Sequence, residues 1–592
     1  MSTQTTAAEP RRRRALIWLI VGVGIVVVAV LAVAAWIGVR GGLAKSELEA
    51  AADDAAALQS DVLGADVDGA EATAESLVRH TSAAAGLTGD PVWRAAEVLP
   101  LLGDDLRAVR VLADQLDRAA EGAIRPLAGL TEAIYAESFR PVDGRIDVRP
   151  LVEARPTAHA AALVLAKASS RVDAVESDGL LGPVADARDR LAKALDKGAA
   201  LSQTLDNALA VAPTMLGAEG PRNFLVLFQN NAELRSAGGI PGAFALIHVE
   251  DGLMQLVAQA STTDFSSKDG PSIAIPDATT AVFGTRPGTY IQDVTMTPDF
   301  TVSAAVAKQM WERRFGGTVD GVIAVDPVAL SYLLGATGPV ALADGSQLTE
   351  KNAVQSLLVD VYHRLPSGPA QDAYFADAAA ASFSAISAGK ADPRALVTAL
   401  ARAGDEHRIS LWSTDAAQQA ILAGTTLAGL EAAQEAMGPQ TYGVYLNDGT
   451  GSKIDPYLDV ALAVGATPRD DGLSDVRVQV TLTSTAAADA GTTYPPVVTG
   501  TGFYGVPPGQ IATNVTVYAP KGAFDGGLEH DGTRVAYAQQ EDSGHLVSSL
   551  GVTLAPGEST TLVFHYTSAA RGQDAPILLH TPLMRGLTVG SL

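Results

Sequence analysis

The chain has 592 residues, enough for three or four domains at roughly 100 to 200 residues each. Its 42 basic and 66 acidic residues give a net charge of −24 at pH 7, which argues against a nucleic-acid partner held by phosphate neutralisation. Cysteine is absent from the sequence, which excludes disulfides, thiolate zinc sites, iron–sulfur clusters and a cysteine nucleophile.

An uncharged apolar run over residues 15–39 is the first predicted element. As a helix it would extend about 37 Å, against roughly 30 Å of bilayer hydrocarbon. Trp18 and Trp36 lie near its two ends, where indole rings prefer the headgroup interface. Four basic residues precede the run: Arg11, Arg12, Arg13 and Arg14. The pattern predicts a cytoplasmic basic tail (1–14), one transmembrane helix (15–39) and an extracellular remainder, hence a single-pass cell-membrane protein. A cleaved signal peptide is the alternative, although its apolar region usually has only roughly 7 to 15 residues.

Residues 43–210 are rich in alanine and show helical periodicity. From Leu102 to Ala120 the apolar residues are spaced four and three apart, which predicts a helix with that face buried. The segment is therefore expected to be an α-helical bundle or stalk outside the membrane, serving either as a spacer or as a packed bundle with no further role.

Short apolar runs then alternate with helical patterns from 221 to 437. The runs Phe224–Phe228, Ala243–Val249 and Gly321–Val325 are typical of buried strands. The sequence Thr297-Pro298-Asp299 predicts a helix start with Thr297 as N-cap. The alternation predicts an α/β domain. From 442 to 592, polar and apolar residues alternate in short runs such as Val476–Leu482, which predicts an Ig-like β-sandwich.

Polar residues are dense in the segment Gln229–Gly239, directly after the first strand of the α/β domain, where such folds usually build binding sites. Arg235 is suited to clamp a phosphate or carboxylate, and Glu233 to orient that arginine or act as a base. The glycines would let a ligand approach the backbone. The alternative is that Glu233 and Arg235 pair with each other and the asparagines bond to loop carbonyls. The ligand-binding candidates are Asn230, Asn231, Glu233, Arg235, Gly238 and Gly239, with Asp264 and Asp299 as further acids. The nine histidines form no metal-binding motif, so no metal site or cofactor is predicted.

The segment Asn223–Gly239 also resembles the hallmark of the bacterial family called domain of unknown function 4012. The resemblance continues through residues 297–300, 319–327, 338–339 and 447–453. It implies an envelope protein with an N-terminal membrane anchor, and it implies no established activity.

The order of strands and helices is also, more faintly, similar to the LytR-CpsA-Psr domain. Those proteins transfer glycopolymers from polyprenyl-pyrophosphate carriers and hold the pyrophosphate and Mg²⁺ with arginines and an aspartate. This chain reads Ile240-Pro-Gly-Ala243 where that family has Arg-Ser-Asp-Thr, and it lacks paired arginines in 371–377. The resemblance implies a shared fold. Both differences remove positively charged side chains that would bind a pyrophosphate.

Three functions are compatible with the sequence. The first is an envelope protein that binds a cell-wall glycopolymer or its lipid carrier with the loop Gln229–Gly239. The second is a glycopolymer phosphotransferase of the LytR-CpsA-Psr type, which alone would need Mg²⁺. The third is a structural or adhesion scaffold whose β-sandwich binds another envelope protein. The sequence leaves open whether the protein is an enzyme.

Overall fold

The computed structural model describes residues 9–64, 66–100, 102–130, 140–266, 269–365, 367–568, 571–572, 575–587 and 589–592; within these, the side chains of 9–27, 29 and 62–64 are not described. The chain divides into two compact units. One comprises Met1–Ser138 and Arg149–Ala210, and the other comprises Phe139–Val148 and Val211–Leu592. The molecule is a mixed α/β multidomain protein with several sheets.

The first unit is helical. Its elements are α1 (Glu9–Gly64), α2 (Val67–Thr88), α3 (Pro91–Ala96), α4 (Gly103–Ala119), a π-helical turn (Ala120–Ile124), α5 (Arg125–Ala128), α6 (Arg149–Asp173) and α7 (Gly182–Met215), whose last residues belong to the second unit. Asp66 and Asp90 cap α2 and α3 by accepting hydrogen bonds from backbone N–H groups of the first turn. Its core contains many alanines, such as Ala119 and Ala161, and small side chains let the helices approach closely.

Among the described residues, no helix is long and apolar enough to cross a membrane. This finding contradicts the predicted transmembrane helix over 15–39 and the single-pass location derived from it, so neither is retained. Directly after the predicted span, the helix contacts protein. Arg40, in the same continuous helix α1, donates to the Leu87 carbonyl at 2.7 Å and pairs with Asp90 at 2.9 Å. Trp36 is half-exposed, and the Arg40 guanidinium lies 5.2 Å from its ring. The side chains of Arg11, Arg12, Arg13, Arg14 and Trp18 lie outside those described, as do residues 1–8 of the predicted basic tail.

The buried face of α4 overlaps the predicted one and extends beyond it. Ala113 and Ala120 of the predicted face are buried, Leu102, which precedes the helix, is exposed, and Ala108 and Leu112 are also buried. Asp105 shares this face because its carboxylate accepts a hydrogen bond from the Leu181 N–H at 2.7 Å. A hydrogen-bonded acid can therefore occupy a buried position that the apolar periodicity does not reveal.

The second unit begins with a mixed five-stranded sheet in the order β3-β2-β1-β4-β7. Its strands are β1 (Arg222–Asn230), β2 (Ile240–Glu250), β3 (Leu253–Ser261), β4 (Gly321–Val325) and β7 (Ile409–Ser413), and a small hairpin contains β5 (Val340–Ala341) and β6 (Gln347–Leu348). Strands β1 and β4 are parallel, and the other pairs in the sheet are antiparallel. Leu225 and Leu227 of β1 face a core that includes Trp311.

Helices and turns surround this sheet. They are a 3₁₀ turn (Thr262–Asp264), α8 (Asp277–Phe283), α9 (Arg286–Thr289), a 3₁₀ turn (Ile291–Met296), α10 (Phe300–Phe315), α11 (Pro327–Thr337), α12 (Ala353–Gln355), a π-helical turn (Ser356–Asp360), α13 (Val361–Arg364), α14 (Gly368–Ser387), α15 (Pro393–Asp405), α16 (Ala416–Leu422) and α17 (Leu430–Ala436). The N-cap of α10 is Asp299 rather than the predicted Thr297, because the Asp299 carboxylate accepts from the N–H groups of Thr301 and Val302.

The rest of the second unit is a sandwich of two sheets. One has the order β14-β15-β11-β8-β17 and the other the order β13-β12-β16-β10-β9-β18. The elements are β8 (Thr441–Asp448), a 3₁₀ turn (Asp455–Tyr457), β9 (Leu458–Pro468), β10 (Ser474–Ser484), α18 (Ala490–Thr493), α19 (Pro496–Thr499), β11 (Ile511–Tyr518), β12 (Phe524–His530), β13 (Thr533–Arg534), β14 (Ala538–Asp542), β15 (His545–Leu554), β16 (Ser559–Thr567), β17 (Ile577–His580) and β18 (Val589–Ser591). Val444, Val480 and Val517 share its core.

Candidate functional site

The polar loop predicted as a site connects β1 to β2 and is buried. A register shift between Phe228 and Gln229 ends the regular pairing of β1. The side chains of Asn230, Asn231 and Glu233 are all buried. Buried polar groups need partners, so the question for each is whether a ligand or the protein supplies them.

Arg235 is fully engaged by the protein. Its exposure is 4 %. Its Nε and Nη2 donate to Asp293 Oδ1 at 3.2 and 2.9 Å, and its Nη1 donates to the Leu234 carbonyl at 2.8 Å. Arg286 Nη2 lies 2.6 Å from the other oxygen of Asp293. A phosphate or carboxylate ligand would have to break these contacts before Arg235 could hold it.

Glu233 pairs chiefly with Lys453, a residue of the sandwich part of the chain, and lies 3.5 Å from Arg235 Nη2. Burial would raise the pKa of Glu233, but the charges of Lys453 and Arg235 outweigh burial and hold this pKa below its usual value. Nearby, burial and the Glu233 charge raise the pKa of Asp448 to about 6. These residues form an ionic cluster, made of Glu233, Arg235, Arg286, Asp293 and Lys453, inside the protein.

The asparagines also bond within the protein. Asn230 Nδ2 donates to the Tyr362 hydroxyl, and its Oδ1 accepts from the Ala232 N–H at 3.0 Å. Asn231 Nδ2 donates to Asp326 Oδ2 at 3.2 Å and to the Pro582 carbonyl at 3.0 Å. Both side chains therefore fix the loop.

The paired glycines bring loop backbone close to the end of β1. A Cβ atom at Gly239 would lie 2.2 Å from the Asn230 carbonyl oxygen, and one at Gly238 would lie 2.8 Å from Gln229 Oε1. Gly238 also has a positive φ of 131°. The close approach predicted for a ligand is thus made by the protein itself.

Distant motifs meet at this loop. Asn447 Oδ1 accepts from the Ser236 N–H at 3.2 Å, and Asn447 Nδ2 donates to Ser236 Oγ at 2.9 Å. Sequence reasoning did not pair Lys453 with Glu233 or Asp293 with Arg235, because these partners are remote along the chain. The only available signal was that the segments 223–239 and 447–453 both belong to the family resemblance.

The two further acids lie elsewhere. Asp264 ends the 3₁₀ turn after β3 and accepts from the Ser261 N–H at 2.8 Å. Asp299 caps α10, and burial raises its pKa. The structure thus brings together the six loop candidates and places Asp264 and Asp299 in separate turns.

A second feature, which we call the apolar groove, lies on one face of the five-stranded sheet. Because side chains alternate along a strand, Val226 and Phe228 of β1 point away from Leu225 and Leu227 and line this face. Ala245 pairs with Val226, and Val325 pairs with Phe228, so β2 and β4 extend the same apolar surface.

Helices form the other wall of the groove. Leu330 of α11, Leu357 in the π-helical turn, and Ala379 and Phe383 of α14 line it. The cavity has a volume of about 190 Å³. Cavities of roughly 150 Å³ with apolar walls already bind benzene-sized molecules. The groove can therefore take up a segment of an apolar chain.

The groove has polar surroundings at two places. Gln229, Asn230 and Asp326 line it where β1 and β4 end. A neighbouring cavity of about 240 Å³, which we call the polar opening, shares Phe228, Ala243 and Ala379 with the groove and is also lined by Asp264 and Asp372. The candidate Asp264 is thus placed beside the groove rather than at the ionic cluster.

The sequence did not reveal the groove, since the strand pattern cannot show where α14 lies over the sheet.

The comparisons with known proteins concern the part of the chain that contains these features. Residues 219–362 match a family model described as protein of unknown function (DUF4012). No curated protein matches the chain. The similarity to the LytR-CpsA-Psr domain is not shown by these comparisons and stays a prediction. The matched residues run from β1 to α13 and include the polar loop and much of the groove. Over residues 219–362 the chain is therefore similar to this family of unknown function, as the sequence motifs predicted.

Proposed function

We propose that the α/β part of the second unit binds the apolar chain of a lipid in the apolar groove. The observation that carries the proposal is the groove itself: apolar side chains of four strands and three helical segments line one cavity of about 190 Å³. Several of them, including Phe228, Leu330 and Phe383, are only half-buried.

Apolar surface that faces water gives a driving force for binding. Each buried methylene contributes about 0.8 kcal/mol, so a chain that buries six of them gains roughly 5 kcal/mol before the cost of its own ordering. Such a gain corresponds to weak but measurable affinity. A longer chain that continues into the polar opening would bind more tightly.

The charged side chains around the groove indicate which kind of lipid head group can bind there. None of the described residues that line the groove or the polar opening is Lys, Arg or His, whereas Asp264 and Asp372 line the opening. Two carboxylates attract no phosphate. The lining therefore favours a ligand with an uncharged or hydroxylated head group at this opening, and it adds no support to the phosphotransferase alternative.

The test is displacement of the neutral fluorescent probe N-phenyl-1-naphthylamine from the full-length protein by farnesol and by farnesyl phosphate, which differ in the charged group. We expect both to displace the probe, with farnesol at least as effective. Ala379→Leu, which adds volume where the groove meets the polar opening, should weaken probe binding at least tenfold, equivalent to about 1.4 kcal/mol.

The matched control is Ala380→Leu, one residue further along α14, which does not line the groove. It should bind the probe as the wild type does. Equal probe affinity of Ala379→Leu and Ala380→Leu, or no probe binding by the wild type, would overturn the proposal.

A further inference from the structure

Three side chains with metal-binding groups meet at the edge of the sandwich. Glu431 and Glu435 are four residues apart on α17 and therefore lie on one face of that helix. His545 begins β15, directly after the tight turn Ser543-Gly544, whose positive φ angles of 52° and 81° fit a two-residue hairpin. One ligand atom from each of the three residues lies within 4.8 Å of the other two.

The His545 ring is oriented for a ligand. Its exposure is 3 %, and its Nδ1 lies 2.8 Å from the Ala519 carbonyl oxygen. A carbonyl only accepts hydrogen bonds, so Nδ1 carries the proton and Nε2 of the neutral ring presents a lone pair. Nε2 has no hydrogen-bond partner, and its distance to Glu435 Oε1 is 3.6 Å. A backbone carbonyl that fixes the tautomer is the arrangement usual for metal-binding histidines.

The charge around the three residues is negative. The carboxylates of Asp299, Glu435 and Asp542 all lie near enough to Glu431 to repel its charge. Lys521 is the neighbouring cation: it pairs with Glu435, and half of its side chain is exposed. A bound cation would relieve the repulsion among the carboxylates.

We propose that Glu431, Glu435 and His545 bind one divalent metal ion of the Zn²⁺ class, held by one imidazole nitrogen and two carboxylates. Mg²⁺ and Ca²⁺ prefer shells made of oxygen, whereas imidazole ligands favour Zn²⁺ and its neighbours in the transition series. Three protein ligands leave a coordination position for water, since Glu435 is exposed. The ion would fasten α17 to the β14–β15 hairpin.

The experiment is calorimetric titration of the chelator-treated full-length protein with ZnCl₂ and, separately, MgCl₂ at pH 7.5. We expect one Zn²⁺ site and no competition from Mg²⁺ at a tenfold excess. His545→Gln and Glu435→Gln should each weaken Zn²⁺ binding at least tenfold. Lys521→Met should strengthen it severalfold, because Lys521 competes with the ion for Glu435. If His545 and Glu435 had only a structural role, Lys521→Met would not increase the Zn²⁺ affinity.

The matched control is His565→Gln. His565 also has an Nε2 without a hydrogen-bond partner, and its nearest carboxylate is that of Glu529 at 3.3 Å. This variant should retain the Zn²⁺ affinity of the wild type. Glu435→Gln changes an exposed residue and keeps the test valid if His545→Gln fails to fold. No Zn²⁺ binding by the wild type, or unchanged binding in Glu435→Gln, would overturn the proposal.

Discussion

At the scale of single residues, the predicted site and the observed one differ in what they bind. The sequence left open whether Arg235 and Glu233 bind a ligand or pair with each other; in the structure they lie 3.5 Å apart, and Asp293 and Lys453 are their closer partners. Buried charges are stable only when each has a partner, and here every partner is supplied by the chain. The loop is therefore a rigid connection within the second unit, and the groove beside it is free to bind.

Removing the partner of a buried charge should be costly. Lys453→Met leaves Glu233 buried beside Arg235 alone, and we expect it to lower the free energy of unfolding of the second unit by about 3 kcal/mol. The double variant Glu233→Gln/Lys453→Met should recover part of this loss. Urea denaturation followed by circular dichroism measures both. Asp459→Asn, which breaks a half-exposed pair with Arg585, should change stability by at most about 0.5 kcal/mol. A Lys453→Met variant as stable as Asp459→Asn would show that the cluster is not tightly coupled.

Glu431 should make stability depend on pH. Its pKa is raised to about 7 in the folded state, above the usual 4.5, so the unfolded chain loses this proton first as the pH rises. The free energy of unfolding therefore falls between about pH 4.5 and 7 and changes no further above that range on account of Glu431. With chelator present, Glu431→Gln should be more stable than the wild type by about 2 kcal/mol at pH 8 and nearly equal to it at pH 4.5. Thermal melts of both proteins at the two pH values measure this difference in stability. The same difference at pH 4.5 and pH 8 would contradict the raised pKa of Glu431.

At the scale of elements, local patterns predicted the strands well and the contacts between them poorly. The run Gly321–Val325 coincides with β4, and Phe224–Phe228 lies inside β1. Strand β7, which pairs with β4, was not predicted from the sequence. Its segment Ile409–Ser413 is short, and polar and apolar residues do not alternate clearly in it. The Zn²⁺ site was equally hidden, since His545 is more than a hundred residues from Glu431 and no local spacing relates them.

The loop between β1 and β2 gives a prediction at this scale. Gly239→Ala places a Cβ atom 2.2 Å from backbone oxygen, and backbone cannot yield as a side-chain end can. We expect a loss of at least about 3 kcal/mol in the free energy of unfolding, measured with urea. Gly368→Ala, at the start of α14 with open space around it, should be neutral or slightly stabilising. Similar stability of both variants would mean that the loop adapts.

At the scale of the whole molecule, the sequence predicted a helical region, an α/β domain and a β-sandwich. The five-stranded sheet and the sandwich lie in one compact unit, because the loop between β1 and β2 contacts residues of both. No periodicity along the chain encodes such long-range contacts. The transmembrane prediction rested on an apolar run with its flanking tryptophans and arginines, whereas no described helix is long and apolar enough to cross a membrane.

Separate cores should unfold separately. Leu165 belongs to the core of the helical unit, and Leu562 belongs to the core of the sandwich. In differential scanning calorimetry we expect two transitions. Leu165→Ala should lower the midpoint temperature of one transition, and Leu562→Ala that of the other. Each shift should be several degrees, since each variant loses about 2 to 5 kcal/mol in the free energy of unfolding of its unit. A single transition that both variants shift would show that the two units unfold together.

The division of the chain between its units has a consequence for synthesis and for dissection. The polypeptide crosses from one unit to the other three times, because Phe139–Val148 belongs with the sheet although helices of the other unit flank it. Arg145 pairs with Asp251 at 2.6 Å, and the Ile146 N–H donates to the Gly252 carbonyl at 3.0 Å. On the ribosome this segment therefore emerges about a hundred residues before its partners exist. A fragment that starts at Val211 would leave the turn between β2 and β3 without this cover, so the family-matched domain cannot be excised intact by a single cut.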